Sequence, residues 1–261
     1  MTAWRKYWAF ARIAAAEAVT ERAELFGRAL FFAVILGVFA ALWRAVAEAG
    51  MPLRAGQEQL VWYLAATEWI LLSTPQRHMQ IQDEVRRGDV AYQLPRPVSY
   101  PRAAFAQCLG ALLVRAPLLG AVAFGAAFAF TGRVPALGAL LWLLPFGLVA
   151  SAILAELYVA LGLLSFWLTD ATPLYWVASK LLFVLGGLML PLELYPRWLQ
   201  LVAHCTPFPS LLSGPGGFLI HGPERVAPWL ALRLLLWASL LFGLVELLFW
   251  RARRSLQVSG G

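Results

Sequence analysis

The side chains able to carry chemistry in this sequence are few and far apart. Three histidines, His78, His204 and His221, lack the short spacing that a metal site needs. The two cysteines, Cys108 and Cys205, form no zinc, haem or disulfide pattern and read as free thiols. Ser210 and Ser213 lie close to His204 and raise the question of a hydrolase. The Gly-x-Ser-x-Gly elbow of such a nucleophile is missing, and the prolines around these serines fit loop chemistry better. A Walker lysine motif is also missing. The expectation is therefore no catalytic residue, no metal and no cofactor in this chain, and no energy source of its own.

The other chemically pointed residues are charges inside apolar stretches: Glu68, Arg115, Glu156 and Lys180. Such charges are costly in lipid and are usually paired or functional. Counted from the ends of their stretches, Arg115 lies about 21 Å in and Glu156 about 18 Å in, while Glu68 and Lys180 both lie about 12 Å in. Matching depths predict Arg115–Glu156 and Glu68–Lys180 ion pairs. Holding helices together is favoured over contact with cargo.

The elements that must position these residues follow from composition. Hydrophobic residues make up 61% of the 261 and charged residues 13%, against about 25% charged in a soluble domain. That is more apolar side chain than one water-soluble core of this size can hide, so lipid must be the solvent for much of it. A span needs roughly 20 apolar residues. Six stretches meet or approach this: Ala29–Ala47, Gln59–Pro75, Pro101–Phe130, Ala136–Leu168, Pro173–Pro191 and Val226–Trp250. The predicted fold is all-α and integral to the membrane, with six transmembrane helices in a single domain over 1–261.

The net charge of +7 gathers at the ends of these stretches, which argues for membrane flanks and against nucleic acid. Arg5, Lys6, Arg12, Arg22 and Arg28 precede the first stretch; Arg77, Arg86, Arg87, Arg96 and Arg102 join the second to the third; Arg251, Arg253 and Arg254 follow the last. With six spans all three groups fall on one side, which the positive-inside bias makes cytoplasmic, together with both termini. Residues 1–28 are too charged to span. Trp4, Tyr7, Trp8, Ala11, Ala15 and Val19 recur at helical spacing there and predict an amphipathic helix in the interface. Residues 193–225 are apolar and aromatic but broken by Pro196, Pro207, Pro209, Pro215 and Pro223. They predict short half-helices re-entering the outer leaflet between spans five and six, covered by protein.

The loop over residues 76–100 is the most informative stretch. A charged helical segment, Gln80 to Arg87, is ended by Gly88, which tolerates the left-handed conformation. An extended Leu94-Pro95-Arg96-Pro97 element follows. On residue chemistry alone, a force-transmitting helix and an ordinary solvated loop stay equally open. The basic N-terminal helix WRKYWAFARIAAAEA, the loop EVRRGDVAYQLPRPVSY, the broken segment CTPFPSLLSGP and the C-terminal FWRARRSLQVSGG together resemble the type-2 ABC exporter permeases, in their small six-span bacterial branch. The likeness runs from about Trp4 to Gly261. It implies a coupling segment of Asp83, Glu84, Arg86, Arg87, Gly88 and Asp89 docking on a separate ABC ATPase. It further implies two ATPase subunits carrying ATP and Mg, a second permease, identical or related, and a place in the bacterial inner membrane. The implied activity is export of an amphiphilic or hydrophobic substrate such as a lipid, glycolipid or drug. The alternative from residue chemistry is a proton-coupled secondary transporter with Glu68 or Glu156 as its titrating group.

Overall fold

A computed structural model describes residues 3–50, 56–93, 97–168 and 170–259, and among them every regular element is helical. In chain order these are α1 (Ala3–Thr20), α2 (Arg22–Glu48), α3 (Gln57–Ser73), α4 (His78–Arg86), α5 (Asp89–Gln93), α6 (Tyr100–Thr131), α7 (Leu137–Leu163) and α8 (Thr172–Leu185). Four short helices come next, α9 (Arg197–His204), α10 (Phe208–Leu211), α11 (Ser213–Gly216) and α12 (Phe218–His221), and then α13 (Pro223–Ser259). Helices α2, α6, α7 and α13 are long and apolar enough to cross a membrane. Leu94, Pro95 and Arg96, expected as an extended element, lie outside the described residues, as does Arg54.

The helix interrupted by Glu68 is the centre of the molecule. Every residue of α3 from Leu60 to Ile70 is buried, the signature of an element apolar around its whole circumference. Trp69 fixes its neighbours. Its indole donates to the carbonyl of Ala116 at 2.8 Å, and its ring lies closely on Gly120 of α6 and on Gly147 of α7, where a Cβ would clash. Trp62 donates to the carbonyl of Arg133 at 3.0 Å and stacks on Phe124. Trp62 and Trp43 are thus core residues rather than members of an interfacial belt. Helix α2 contributes one stripe, Phe32, Leu36, Ala40 and Trp43, and leaves Phe31, Val34, Val38 and Leu42 exposed.

The expected fifth span, Pro173–Pro191, stops as a helix at Leu185, where Gly186 and a left-handed Gly187 turn the chain. Its 14 residues reach about 21 Å, short of the ~30 Å hydrocarbon core. The turn is gripped by α3: Tyr63 donates to the carbonyl of Gly187, and Thr67 to that of Leu188 at 2.6 Å. Helices α10 to α12 pack at the same level, with Gly216 against the ring of Tyr63 and Phe218 against Phe146. Tyr63 and Thr67 are six and ten residues along α3 from Gln57, so the cluster reaches about 9–15 Å into the bundle.

The opposite end carries the basic segments. There α6, α7 and α13 run on past the end of α3 and enclose a second core of Ile81, Val90, Tyr100, Ala104, Cys108, Val159, Leu163, Val245 and Phe249. Helix α1, expected as an amphipathic helix in the interface, also packs against the bundle. It lies lengthwise on the first half of α6, running the same way: Tyr7 accepts from the backbone N–H of Ser99, Ala11 meets Gly110, and Glu21 just beyond α1 meets Arg115. The stripe it buries is Ala11, Ala14 and Ala18, while Trp4, Trp8 and Val19 stay exposed. Small residues win that position because they let two helix backbones approach closely. At Gly110 a Cβ would collide with the carbonyl of Ala11. Gly110→Val is therefore expected to pry α1 from α6 at about 1–3 kcal/mol, read as faster proteolysis within residues 4–20 and a lower unfolding temperature.

Candidate functional site

The candidate site is the basic end around α4. Pro75 follows the end of α3, and nine residues then form α4, with Arg86 in its last turn, where a positive charge complements the helix dipole. Gly88 closes it at φ +74°, a conformation that glycine adopts without penalty. Ile81 is fully buried against α7, at Gly162. A Cβ at Gly162 would stand 2.9 Å from Ile81 Cβ and 3.1 Å from His78 Cα, so α7 needs a glycine to seat α4.

Helix α4 is tied at three points to α8 and the segment that leads into it. His78 stacks on Tyr175 with ring centroids 3.8 Å apart. The Gln82 carbonyl oxygen accepts from the Ala171 N–H at 2.8 Å, and its amide donates to Asp170 Oδ1 at 3.2 Å. Arg86 stands 3.7 Å from Asp170. Hydrogen bonds from the side chain and backbone of Thr172, then from Gln82, hold the Asp170 carboxyl below the usual carboxylate range, aided by the Arg86 charge. Burial pushes His78 down to about 4, so its ring is neutral at physiological pH. On the other flank, Tyr100 donates to Glu84 Oε2 at 2.6 Å, and Arg77 reaches Glu84 Oε1 at 3.4 Å. What faces outward is Met79, Gln80, Asp83, Arg86 and Arg87, with Tyr92 of α5 beside them.

Next to α4 lies a polar cavity of about 260 Å³, lined among others by Glu17, Glu21, Glu24, Arg28, Arg77 and Arg115. Arg115 Nη2 stands 2.7 Å from Glu21 and 3.3 Å from Glu24. Arg28 pairs with Glu24 at 2.9 Å and donates to the carbonyl of Leu72, in the last turn of α3, at 2.6 Å. The break between α1 and α2, at Glu21, is thereby fastened both to α6 and to the helix that leads into α4.

Residues 59–260 match the family described as ABC-2 family transporter protein. The chain belongs to the ABC-2 transporter family. A comparison with curated proteins gives no match. The match begins inside α3 and runs through α13, so α4 and both cores fall largely within it, while α1 and α2 precede it. The chain is a multi-pass membrane protein and an ABC transporter permease, a class that is generally not enzymatic and whose membership implies association with ABC ATPases.

In this permease the six loop residues expected to act together split into two sets. Asp83 and Arg87 are exposed, Arg87 pairing with Asp89 at 3.1 Å, and Gly88 forms the turn. Glu84 and Arg86 have bonds to Tyr100 and Asp170 that anchor α4. The intramembrane pairs are corrected. Arg115 meets Glu21 and Glu24 instead of Glu156, because the first half of α6 runs beyond the ends of α2 and α3. Lys180 sits on the exposed face of α8, away from Glu68 in the centre of α3. Glu68 and Glu156 are both buried, each with one oxygen that no hydrogen bond reaches among the described residues. Glu246 pairs with Arg102 at 2.7 Å, and Arg233 donates to the His204 carbonyl at 2.6 Å. Cys108 and Cys205 are free, as expected. Ser213 donates to the carbonyl of Pro209, and neither it nor Ser210 bonds to His204. Among the described residues no cluster of metal-ligating groups occurs.

Sequence reasoning missed Gln82, Tyr175, Tyr100 and Gly162, whose partners lie 16 to 97 positions away in the chain. One usable signal was present: Gln82 and His78 share a helical face with Ile81, so that face could not all be solvated.

Two outcomes are expected. Because the folded pKa of His78 is below its unfolded value, the unfolded chain binds the extra proton first. Stability is complete above about pH 6.5 and is lost as pH falls toward 4. The loss is about 2 kcal/mol near pH 5, and His78→Phe, which keeps the stack, removes it from thermal unfolding curves. Separately, a double-mutant cycle of Arg115→Leu with Glu21→Gln gives a coupling of about 1–2 kcal/mol in stability. That is less than for a fully buried pair because Glu21 is 41% exposed.

Proposed function

We propose that this permease is the membrane half of an ATP-driven exporter and that α4 is the lever on which a partner ATPase pushes. The observation that carries the reading is the division of α4 into two faces. Asp83 and Arg87 are exposed, while Ile81, Gln82, Glu84 and His78 are bonded or packed into the body. A nine-residue helix seated this way moves as one piece with α7 and α8, and a push on it travels through Asp170 and Tyr175 into α8.

Sidedness follows from charge: the basic end faces the cytoplasm, as does each terminus. Six crossings then come from α2, α3, α6, α7, α8 and α13, in a bacterial inner membrane. The short α8 is completed by the cluster of α9 to α12, and the approach of Gly216 in that cluster to Tyr63 and Thr67 supports a re-entrant role facing outward. Two ATPases carrying ATP and Mg and a second permease, identical or related, complete the assembly. The whole chain serves as one permease domain. The mostly apolar and aromatic surfaces of the long helices favour an amphiphilic cargo such as a lipid, glycolipid or hydrophobic drug.

Glu68 and Glu156, each with an unbonded buried oxygen, support a second reading as a proton-coupled transporter. Transport in vesicles separates the two: ATP depletion abolishes uptake in the first case, and an imposed proton gradient sustains it in the second. For the lever itself, Asp83→Arg combined with Arg87→Glu is expected to lower ATP turnover of the purified complex about tenfold or more, with unfolding temperature unchanged. Unaltered turnover in a complex that stays assembled refutes the assignment of α4.

A further inference from the structure

Helix α1 presents three different edges. Its alanine stripe lies on α6, and Glu17 faces the polar cavity. The third edge carries Trp4 and Trp8, 76% and 53% exposed, beside an open apolar groove of about 660 Å³ between α6 and α13. That volume is in the ~300–1,000 Å³ range of small-molecule sites. The groove is floored by Phe105, Leu109, Leu113 and Phe242, and one wall ends at the Arg102–Glu246 ion pair, 2.7 Å long. Both α6 and α13 are membrane-length helices, so the medium that fills a groove open between them is lipid.

The charge beside this groove is one-sided. Arg5 and Arg12 flank Trp8 along an adjoining trough on α1. Seven residues apart, they share a helix face at a separation of about 10 Å. Both are exposed, and neither is ion-paired among the described residues. The carboxylates nearest the groove and trough do not offset them: Glu246 is neutralised by Arg102, and Glu17 lines the cavity on the opposite flank of α1. Two unpaired guanidinium groups, an exposed indole between them and an apolar slot beside it match a phosphate-bearing headgroup joined to an acyl chain.

We infer that this groove is a binding site for one anionic phospholipid of the leaflet at the basic end, held independently of any transported cargo. Its headgroup lies across Arg5 and Arg12, and one acyl chain lies along Phe105 and Phe242. Basic clusters beside transmembrane helices attract anionic headgroups at about a 5.4-fold gain per arginine, so two arginines give a preference of roughly thirtyfold over a zwitterionic lipid. The occupant also wedges α1 against α13, two helices that the polar cavity does not connect.

The test uses the full chain, purified in mild detergent with whatever ATPase accompanies it, and native mass spectrometry with added phosphatidylglycerol or phosphatidylcholine of identical chains. One phosphatidylglycerol per chain is expected, retained roughly thirtyfold better than phosphatidylcholine. Arg5→Gln with Arg12→Gln is expected to erase that preference while leaving weak binding of both lipids. Gly243→Leu fills the groove at a position with no atom within 4 Å of a Cβ, and is expected to abolish both adducts. Equal retention of the two lipids by the unaltered protein, or full retention by Gly243→Leu, overturns the site. Loss of the ATPase from the double arginine variant, with lipid binding intact, also overturns it and assigns the arginines to partner docking. No arm depends on transport, so failure here leaves the exporter reading standing, and failure of that reading leaves this site untouched.

Discussion

A nine-residue helix makes too few internal hydrogen bonds to persist alone in water. Everything distinctive about the basic end depends on how that deficit is met. Ile81, with no exposed surface, enters a pocket on α7 that exists because residue 162 has no Cβ. Gln82 then accepts from residue 171 and donates to residue 170, and Glu84 is held by Tyr100. This clamp gives a surface loop the rigidity of a core element. It also explains the surplus length of α6, α7 and α13: the extra turns are the walls of the second core.

The same end of the molecule handles its charges by sharing them. Arg115 is 93% buried, yet it sees two carboxylates from the hinge between α1 and α2, and Arg28 joins one of these to a free carbonyl of α3. A buried guanidinium left alone would be strongly destabilising. The cavity around the network keeps the carboxylates partly hydrated, which lowers the desolvation cost. The result ties α1, α2, α3 and α6 at one level, directly beside the clamp on α4. Displacement of α4 and displacement of the hinge are therefore mechanically close.

Helix α1 shows how one short segment serves three solvents. Alanines at positions 11, 14 and 18 suit close backbone contact, Glu17 suits water, and Trp4 and Trp8 suit the lipid interface. From sequence, the tryptophans mark the face turned to the lipid interface, and their exposure agrees with it; the alanine stripe against α6 had no such mark. The alanines took that contact because the opposing surface is another helix, where small residues gain more contact than large ones.

Local chemistry settled much of this protein before any fold was known. Apolar runs of membrane length, the basic clusters at their ends, the glycine that closes α4 and the prolines that break residues 193–225 each act through neighbours within a few residues, so each was legible from the chain. Family membership was legible for the same reason, since its marks are local strings. The partners of the buried charges were not. Equal depth along two helices says nothing about which helices touch, and the lengths past the end of α3 shifted Arg115 to the level of Glu21. Glu68 and Lys180 looked equivalent in sequence, and only packing placed one in the centre and the other on an exposed face. What the sequence by itself determined is which runs are apolar enough for lipid and where its prolines and Gly88 break the helices, though not the turn at Gly187. Which side chains meet each other was decided by tertiary structure, because helix-to-helix contact depends on crossing geometry and side-chain volume at positions far apart in the chain.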